Sequence, residues 1–234
     1  MLHRFHRPGP LDVGASLVLE GDEVHHAVKV RRLKVNEMIE LFDGKGRGVT
    51  ARVTGVGRDR LEAEVVEAVS ESREPTRTIE LALSLIHNDR FELVLQKGTE
   101  LGVSAFIPLE SARSEISSPR AAGKTERWKR ILLEATKQCG RHRIPDLLDV
   151  ASFESALRFD GSPVILDVDL PSGSFPDPLT AVRVMVGPEG GWSPEEIAIG
   201  RTSGACFLRL GPRRLRAETA AIAAASLFGI GPIL

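Results

Sequence analysis

Residues 184–197 read VMVGPEGGWSPEEI, and this stretch decides what kind of domain surrounds it. An apolar run ends at Gly-Pro-Glu-Gly-Gly, and a helix start follows, with Ser193 as N-cap, Pro194 at the first helical position and Glu196 at the third. Serine and glutamate at this spacing form a capping box, and proline is favoured at the first helical position. The stretch therefore predicts strand, glycine-rich loop and helix, the repeating unit of an α/β fold.

The chain on both sides of this stretch extends the same pattern. Buried-strand runs alternate with amphipathic helical segments from residue 78 onward, which predicts an α/β domain with a largely parallel sheet. The predicted strands are TIELALSLI (78–86), SAFIPLE (104–110), SPVILDVD (162–169), VRVMVG (182–187) and CFLRLG (206–211). The predicted helices are DRFELVLQKGTELGV (89–103), KTERWKRILLEATKQCG (124–140), SPEEIAIGRTSG (193–204) and AETAAIAAASLFGI (217–230).

Residues 1–74 have a different pattern, with short β-rich runs broken by turn residues. We predict a small β-barrel there, in which FDGKGRG (42–48) forms a hairpin turn because Asp-Gly and the following glycines adopt positive φ easily. A phosphate loop is rejected, since the GxxxxGK[ST] spacing is absent. The polar stretch SESREPTRT (70–78) is typical of a linker, so the predicted domains are 1–74 and 75–234.

Composition excludes several classes of protein. The chain has 234 residues, 42% of them hydrophobic, with a net charge of −1, so wholesale electrostatic attraction to nucleic acid is not expected. We expect a folded cytoplasmic protein without a signal peptide or membrane span. Cys139 and Cys206 are far apart in the sequence and belong to no CxxC or His/Cys motif, so neither a metal site nor a disulfide is predicted.

The glycine-rich loop is a candidate ligand site. In open α/β sheets ligands bind at the carboxyl ends of strands, and glycines let the backbone approach a ligand closely. A tight strand-to-helix turn without a ligand explains the loop alone equally well. A second Gly-Pro turn, in LRLGPRRLRAETA (208–220), also follows a strand and carries Arg213, Arg214 and Arg216. A GxGxxG fingerprint is absent, so a Rossmann dinucleotide site is not supported.

The two Gly-Pro motifs together resemble the paired signature of the RsmE family, SPOUT-class methyltransferases that methylate N3 of a uridine in 16S ribosomal RNA. Three further stretches are similar to the family: HHAVKVRRLKVNEMIELFDGKG (25–46), RFELVLQKGTELGVSAFIPLESARSE (90–115) and ERWKRILLEATKQCGRHRIPDL (126–147). The resemblance covers essentially the whole chain. It implies a PUA-like, RNA-binding β-barrel followed by a SPOUT domain with a deep trefoil knot, a feature that periodicity could not suggest.

The resemblance also implies a cofactor and partners. The family binds S-adenosylmethionine (SAM) in the knot and dimerises through the knotted domains, and its partner is the small ribosomal subunit with its 16S RNA. By this resemblance no metal and no membrane are involved. The residues it assigns to the cofactor are Leu166, Gly187, Pro188, Glu189, Gly190, Gly191, Leu210, Gly211, Arg213, Leu215 and Thr219.

Methyl transfer to N3 of uracil requires loss of the N3 proton, because the protonated nitrogen is a poor nucleophile. Either a base takes this proton or cationic donors favour the anion. We predict that Arg216 stabilises the anion and that Glu218 orients it or accepts the proton. The alternative is that Arg216 and Glu218 form a local ion pair at the start of the last helix.

The target uridine must be unpaired or turned out of its stack, so the protein must also bind the surrounding RNA. Basic residues that contact phosphates would provide this binding without recognising the RNA sequence. Trp128 is interpreted as a packing residue. The predicted RNA-binding residues are Arg4, Arg7, Lys29, Arg31, Arg32, Lys34, Arg127, Lys129, Arg130, Arg141 and Arg143.

Several positions differ from the common family pattern: His87, Asn88 and Asp89 replace Lys-Gly-Asp, Arg214 replaces an aliphatic residue, Cys139 replaces serine and Gly98 replaces alanine. Two other functions stay open on the sequence. One is a SPOUT methyltransferase acting on another rRNA or tRNA position. The other is an RNA-binding ribosome-assembly protein without catalysis, against which the two intact Gly-Pro motifs count.

Overall fold

The computed structural model describes residues 2–21, 24, 33–171, 173 and 180–230. Its contacts divide the chain into two compact units. The first unit contains Met1–Glu74 and Thr136–Ile144, and the second contains Pro75–Ala135 and Pro145–Leu234. The division after Glu74 falls inside the polar segment at 70–78, whereas the membership of 136–144 in the first unit has no counterpart in the sequence pattern.

The first unit contains a five-stranded, PUA-like half-barrel. Its strands are β1 (His3–His6), β2 (Ser16–Glu20), β3 (Met38–Phe42), β4 (Gly48–Val56) and β5 (Arg60–Ala68). Their order is β1-β3-β4-β5-β2, with β1 parallel to β3 and every other pair antiparallel. Alternate side chains of β4 and β5 are buried, as the twofold period of a strand requires, and they supply much of this unit's core.

The predicted hairpin turn lies between β3 and β4 and is confirmed. The Asp43 carboxylate accepts hydrogen bonds from the backbone N–H groups of Lys45, at 2.7 Å, and Arg47, at 3.0 Å. Gly44 and Gly46 have φ of 79° and 115°, a conformation that side chains with a Cβ rarely adopt.

A buried ion-pair network joins β1 and β3 to the 136–144 segment. The Arg4 guanidinium pairs with Glu40 at 2.8 Å and donates to the backbone carbonyls of Thr136, Lys137 and Arg141. His142 Nε2 lies 2.7 Å from the same Glu40 carboxylate. Burial alone would raise the pKa of Glu40, but the hydrogen bonds and charges of His142 and Arg4 outweigh it and hold that pKa below its ordinary value.

The second unit is an α/β domain around a seven-stranded sheet. Its strands are β6 (Thr78–Ser84), β7 (Ala105–Glu110), β8 (Asp146–Leu147), β9 (Ala151–Ser152), β10 (Ser162–Leu166), β11 (Ala181–Val186) and β12 (Cys206–Leu208). The order is β12-β10-β11-β6-β7-β8, with β9 also pairing β7. Every recorded pair is parallel, which confirms the predicted sheet type.

Six helices of the described chain belong to this part of the sequence. They are α1 (Asn88–Glu100), α2 (Ser118–Ala122), α3 (Thr125–Cys139), α4 (Phe153–Leu157), α5 (Pro194–Thr202) and α6 (Ala217–Gly229). The four long helices match the predicted segments, whereas α2 and α4 are too short for a periodic signal. None of the described helices combines the length and apolar character needed to cross a membrane.

Local sequence signals explain how these helices begin, end and pack. In α5 the Ser193 side chain and the Glu196 carboxylate form both hydrogen bonds of the predicted capping box. Gly140 follows α3 with φ of 88°, the left-handed conformation that is typical of a glycine at the end of a helix. Trp128 is 2% exposed and stacks on Phe91 with ring centroids 4.5 Å apart, which confirms it as a packing residue.

The strand order creates a crevice between β6 and β11. From β6 the chain continues to β7 on one side, whereas β11 leads through α5 to β12 on the other side. Such a switch point is where open α/β sheets bind ligands, outside the carboxyl ends of the strands. Leu83 of β6 pairs with Val186 of β11, so the segments after these two strands leave the sheet at the same level.

Candidate active site

A cavity of about 680 Å³ lies at the carboxyl ends of β10, β11 and β12, and Arg90 of α1, the helix that follows β6, is part of its lining. Its volume is in the range of small-molecule sites. Three loop segments form most of its wall: 166–169 after β10, 186–192 after β11, and 208–217 after β12. Arg90, Arg113 and Ala220 complete the lining.

The Gly-Pro-Glu-Gly-Gly loop forms one wall, and Gly187 is constrained by Trp192. A Cβ at Gly187 would lie 3.0 Å from Cε2 of the Trp192 ring. That ring is 7% exposed, and its Nε1 donates to the Leu166 carbonyl at 2.9 Å. The missing side chain therefore lets the tryptophan link the loop after β11 to the end of β10.

Two further contacts fix this loop from the segment that follows β7. Arg113 Nη1 donates to the Gly190 carbonyl at 2.6 Å. The Glu196 carboxylate accepts from the Ala112 N–H at 2.9 Å, in addition to its bond within the capping box. Arg113 was not predicted as a site residue, because no local pattern indicates that the loop after β7 reaches the loop after β11.

The second Gly-Pro loop, after β12, carries a cluster of exposed arginines. Arg213, Arg214 and Arg216 all line the cavity. Arg214 Nη2 donates to both oxygens of Asp169, at 2.9 and 3.2 Å, and so links this loop to the one after β10.

Most of the residues predicted for the cofactor share this cavity. On its wall are Leu166, Gly187, Pro188, Glu189, Gly190, Gly191, Leu210, Arg213 and Leu215. Gly211 and Thr219 are exposed and are not part of this wall, so their assignment to the cofactor stays a prediction. Gly211 has φ of 81° and shapes the turn, while Thr219 is an exposed residue of α6.

The two predicted catalytic residues are placed differently from each other. Arg216 is the exposed N-cap residue of α6 and lines the cavity. Glu218 is not on the cavity wall, and its side chain is 12% exposed. Among the described residues its charged partner is Arg90, with 3.9 Å between Arg90 Nε and Glu218 Oε1, rather than Arg216. Among the described residues no Arg216–Glu218 ion pair is present, and the roles of Arg216 and Glu218 in catalysis stay predictions.

Arg90 is a wall residue that the sequence prediction missed. It lies in the first turn of α1, directly after β6, and its Nη1 forms a hydrogen bond with the Glu189 carboxylate of the glycine-rich loop. Glu218 approaches the same guanidinium from α6, and its Oε2 is buried without a hydrogen-bond partner among the described residues. The site thus contains a Glu-Arg-Glu arrangement built from three separate segments.

The cavity fits a nucleoside-sized molecule that is partly apolar and partly charged. Apolar side chains at the ends of β10, β11 and β12 (Leu166, Val186 and Leu208) form one part of its lining. Carboxylates and guanidiniums form another part, and glycine backbone is accessible between them. A nucleoside with both an ammonium–carboxylate group and a sulfonium, such as SAM, has the matching chemistry. Among the described residues no cluster suited to a metal ion is present.

The predicted RNA-binding residues divide into three groups. Lys29, Arg31 and Arg32 lie outside the described residues. Arg4 and Arg141 are corrected, because their side chains are only 6% and 4% exposed and are held by Glu40 and Glu74 respectively. The remaining residues are exposed or half-buried at the surface: Arg7, Lys34, Arg127, Lys129, Arg130 and Arg143.

Comparison with known proteins identifies the family. Residues 72–229 match the model of the RNA methyltransferase domain, and residues 19–66 match the RNA methyltransferase PUA domain. Ribosomal RNA small subunit methyltransferase E of Bacillus subtilis is 33% identical over 229 residues, covering 89% of this chain and 87% of that protein. The Mycobacterium bovis protein of the same name is 32% identical over 233 residues, covering 94% and 88%.

Solved structures agree with the sequence comparison. Ribosomal RNA small subunit methyltransferase E from Neisseria gonorrhoeae, bound to S-adenosyl methionine, superposes with a TM-score of 0.89 at 36% identity. That alignment covers 97% of this chain and 96% of the other. With a matching catalytic-domain model, a matching PUA model and full-length relatives, this chain belongs to the ribosomal RNA small subunit methyltransferase E family of SPOUT RNA methyltransferases.

Proposed function

We propose that this protein transfers the methyl group of SAM to N3 of a uridine in the 16S RNA of the small ribosomal subunit. The observation that supports the proposal most directly is the cavity at the carboxyl ends of β10, β11 and β12, where both Gly-Pro motifs form wall segments. The N. gonorrhoeae relative is bound to SAM, and the relatives are named for the small-subunit RNA. The SPOUT knot is proposed for this chain on the same family basis.

SAM would be held mainly by the backbone of the loops after β10, β11 and β12. When bound it supplies an electrophilic methyl group, whose bond to sulfur breaks as the bond to N3 forms. The chain's own contribution is to fix both reactants in line, and such positioning can supply roughly 7–11 kcal/mol of the barrier reduction. Trp192 and Arg113 stiffen the loop wall for this purpose, because each bonds to a backbone carbonyl of the wall.

The N3 proton leaves before or during transfer. Arg216 is exposed, lines the cavity, and has no side-chain hydrogen bond within the described residues, so its donors are available to the O2 or O4 oxygens of the developing uracil anion. Stabilising that anion allows the proton to pass to solvent. Glu218 is less suited to accept it directly, since the carboxylate lies off the wall and Oε2 is buried.

The RNA would be held by exposed cations on each of the two units. Lys34 and Arg143 belong to the first unit, whereas Lys129 and Arg130 belong to the second. Such phosphate contacts position the RNA and make binding weaken steeply with salt. We further propose that the protein works in the cytoplasm, where small subunits are assembled, and as a homodimer through its second unit.

The proposal is tested by incubating the protein with labelled SAM and small subunits that lack the modification, then digesting the RNA to nucleosides. We expect label in 3-methyluridine, with Arg216→Ala strongly reduced in turnover. Label in a different nucleoside would show that the methylated position is not N3 of uridine, and it would still support SAM as the cofactor. Absence of SAM binding in calorimetry would instead favour a ribosome-assembly protein without catalysis.

A further inference from the structure

We propose that Arg90 is a second substrate-binding cation of the active site, and that Glu189 and Glu218 are positioning residues that hold its guanidinium at the cavity wall. The inference rests on the proposed function and assigns a substrate contact to a residue outside both Gly-Pro motifs. Glu218, which does not line the cavity, can act in this way because it contacts Arg90 and not the substrate.

The position of Arg90 follows from the sheet topology. It is in the first turn of α1, which begins four residues after β6 ends at Ser84. Because β6 and β11 are parallel neighbours at the switch point, this turn and the loop after β11 emerge at the same edge of the sheet. A side chain in that turn is thereby directed to the crevice in which open α/β sheets bind ligands.

Two carboxylates from different segments hold the guanidinium. Glu189 of the glycine-rich loop bonds Nη1, and Glu218 of α6 lies 3.9 Å from Nε. A planar guanidinium that is hydrogen-bonded through one nitrogen and attracted by a second carboxylate on another side is favoured in one orientation, which also sets the direction of its remaining N–H donors. Arg90 lines the cavity and is 34% exposed, which leaves those donors accessible to a ligand.

The burial of Glu218 is explained by this arrangement. A buried carboxylate oxygen without a hydrogen bond is unfavourable, and among the described residues Oε2 is in that state. A fixed cation at 3.9 Å partly compensates the buried charge. Glu218 therefore acts on the reaction through Arg90, as an orienting group, and not by contacting the uracil itself.

The chemistry matches the substrate proposed for this site. Loss of the N3 proton spreads negative charge onto O2 and O4 of the uracil, two oxygens on opposite sides of the reacting nitrogen. One cation can serve only one of these oxygens well. Arg216, from the loop after β12, and Arg90, from α1, supply guanidiniums from separate segments of the same wall, so each can donate to a different carbonyl.

The first experiment compares Arg90→Met, Glu218→Gln and the double variant in the 3-methyluridine assay. We expect Arg90→Met to lower kcat by about 10²-fold, because a misplaced substrate typically reduces the rate by that factor. The SAM Kd should stay within about threefold of the wild-type value. Residues that act as one unit are non-additive, so the double variant should be no slower than Arg90→Met alone. Arg90→Lys keeps the charge and should recover part of the loss.

Lys97→Met is the matched control, because it removes an ion-paired cation from the same helix, where Lys97 pairs with Glu100 away from the cavity. It should retain wild-type turnover. Additive losses in the double variant would overturn the coupling of Glu218 to Arg90. A raised KM for RNA at unchanged kcat, with a weaker salt dependence, would show that Arg90 contacts a phosphate instead of the uracil and would overturn the proposal.

A second measurement does not depend on turnover. The Nε–Hε NMR signal of Arg90 should be sharp in the wild type and should shift or broaden in both Glu189→Gln and Glu218→Gln. An unchanged signal in both variants would overturn the Glu-Arg-Glu arrangement whatever the enzyme methylates. If the wild type yields no 3-methyluridine while Glu189→Gln and Glu218→Gln change the Arg90 signal as expected, the proposed function is wrong and the Glu-Arg-Glu arrangement is retained.

Discussion

Replacing Gly187 with alanine puts a methyl group against the Trp192 ring, 3.0 Å from Cε2 and 3.2 Å from Cδ2. The ring cannot retreat freely, because it packs edge-on against Phe153 and donates to the Leu166 carbonyl at 2.9 Å. Overpacking of this kind costs about 1–3 kcal/mol. Gly187 does not have a positive φ, so the change is steric and not conformational.

We expect this substitution to weaken SAM binding as well as stability. A displaced tryptophan moves Leu166 and the loop after β11 together, and both form part of the cavity wall. Since a tenfold change in Kd corresponds to about 1.4 kcal/mol, relief of the whole 1–3 kcal/mol in the free protein alone sets an upper limit of roughly 5- to 150-fold weaker binding. Calorimetry measures the Kd. Urea unfolding measures stability, and the chain's two tryptophans, Trp128 and Trp192, both report on the second unit.

Gly123→Ala is the matched control, because Gly123 is not in the cavity wall and the nearest atom to a Cβ there, the Arg120 carbonyl oxygen, is 3.7 Å away. Its stability and SAM affinity should stay near wild type. If Gly187→Ala also retained the wild-type urea midpoint and Kd, Trp192 would not link the two wall segments and the steric argument would be refuted.

Three further outcomes are expected. Gly98→Ala places a Cβ 2.7 Å from Cζ of the buried Phe106 ring, so the clash should exceed the ~1 kcal/mol gained in helix propensity and lower the urea midpoint. Folding lowers the pKa of Glu40 below its ordinary value of 4.5, so the ionised Glu40 stabilises the folded protein above pH 4.5, and this stabilisation is lost as pH falls through the folded-state pKa. Glu40→Gln should therefore make the stability measured by circular dichroism depend less on pH in the acid range. Arg214→Leu removes an exposed ion pair with Asp169, so SAM Kd should change by less than about fivefold, and the difference should vanish at high salt.

Local sequence signals predicted the elements well where they depend on neighbouring residues. The capping box of α5 needs only Ser193 and Glu196 three positions apart, and the hairpin turn needs only Asp43 and its glycines. The two loops that line the cavity were also singled out from the sequence, because both Gly-Pro loops are continuous segments whose composition already departs from an ordinary turn.

Predictions failed where a side chain's partner is distant in the sequence. Arg4 and Arg141 are basic residues of the kind that bind RNA phosphates. In the first unit, however, their side chains are buried and form ion pairs with Glu40 and Glu74. Exposure is a property of the folded chain, and a count of basic residues does not reveal which arginines are already paired.

The amino-acid sequence by itself determined the order of the longer strands and helices of the second unit, the parallel sheet type and the two loops that line the cavity, since each depends on periodicity or turn chemistry within a short window. Only the tertiary structure decided the Glu-Arg-Glu arrangement at the active site. Arg90 and Glu189 are 99 positions apart, and they meet because β6 and β11 are neighbours in the sheet. Contacts between separate segments depend on strand order, which no local pattern contains.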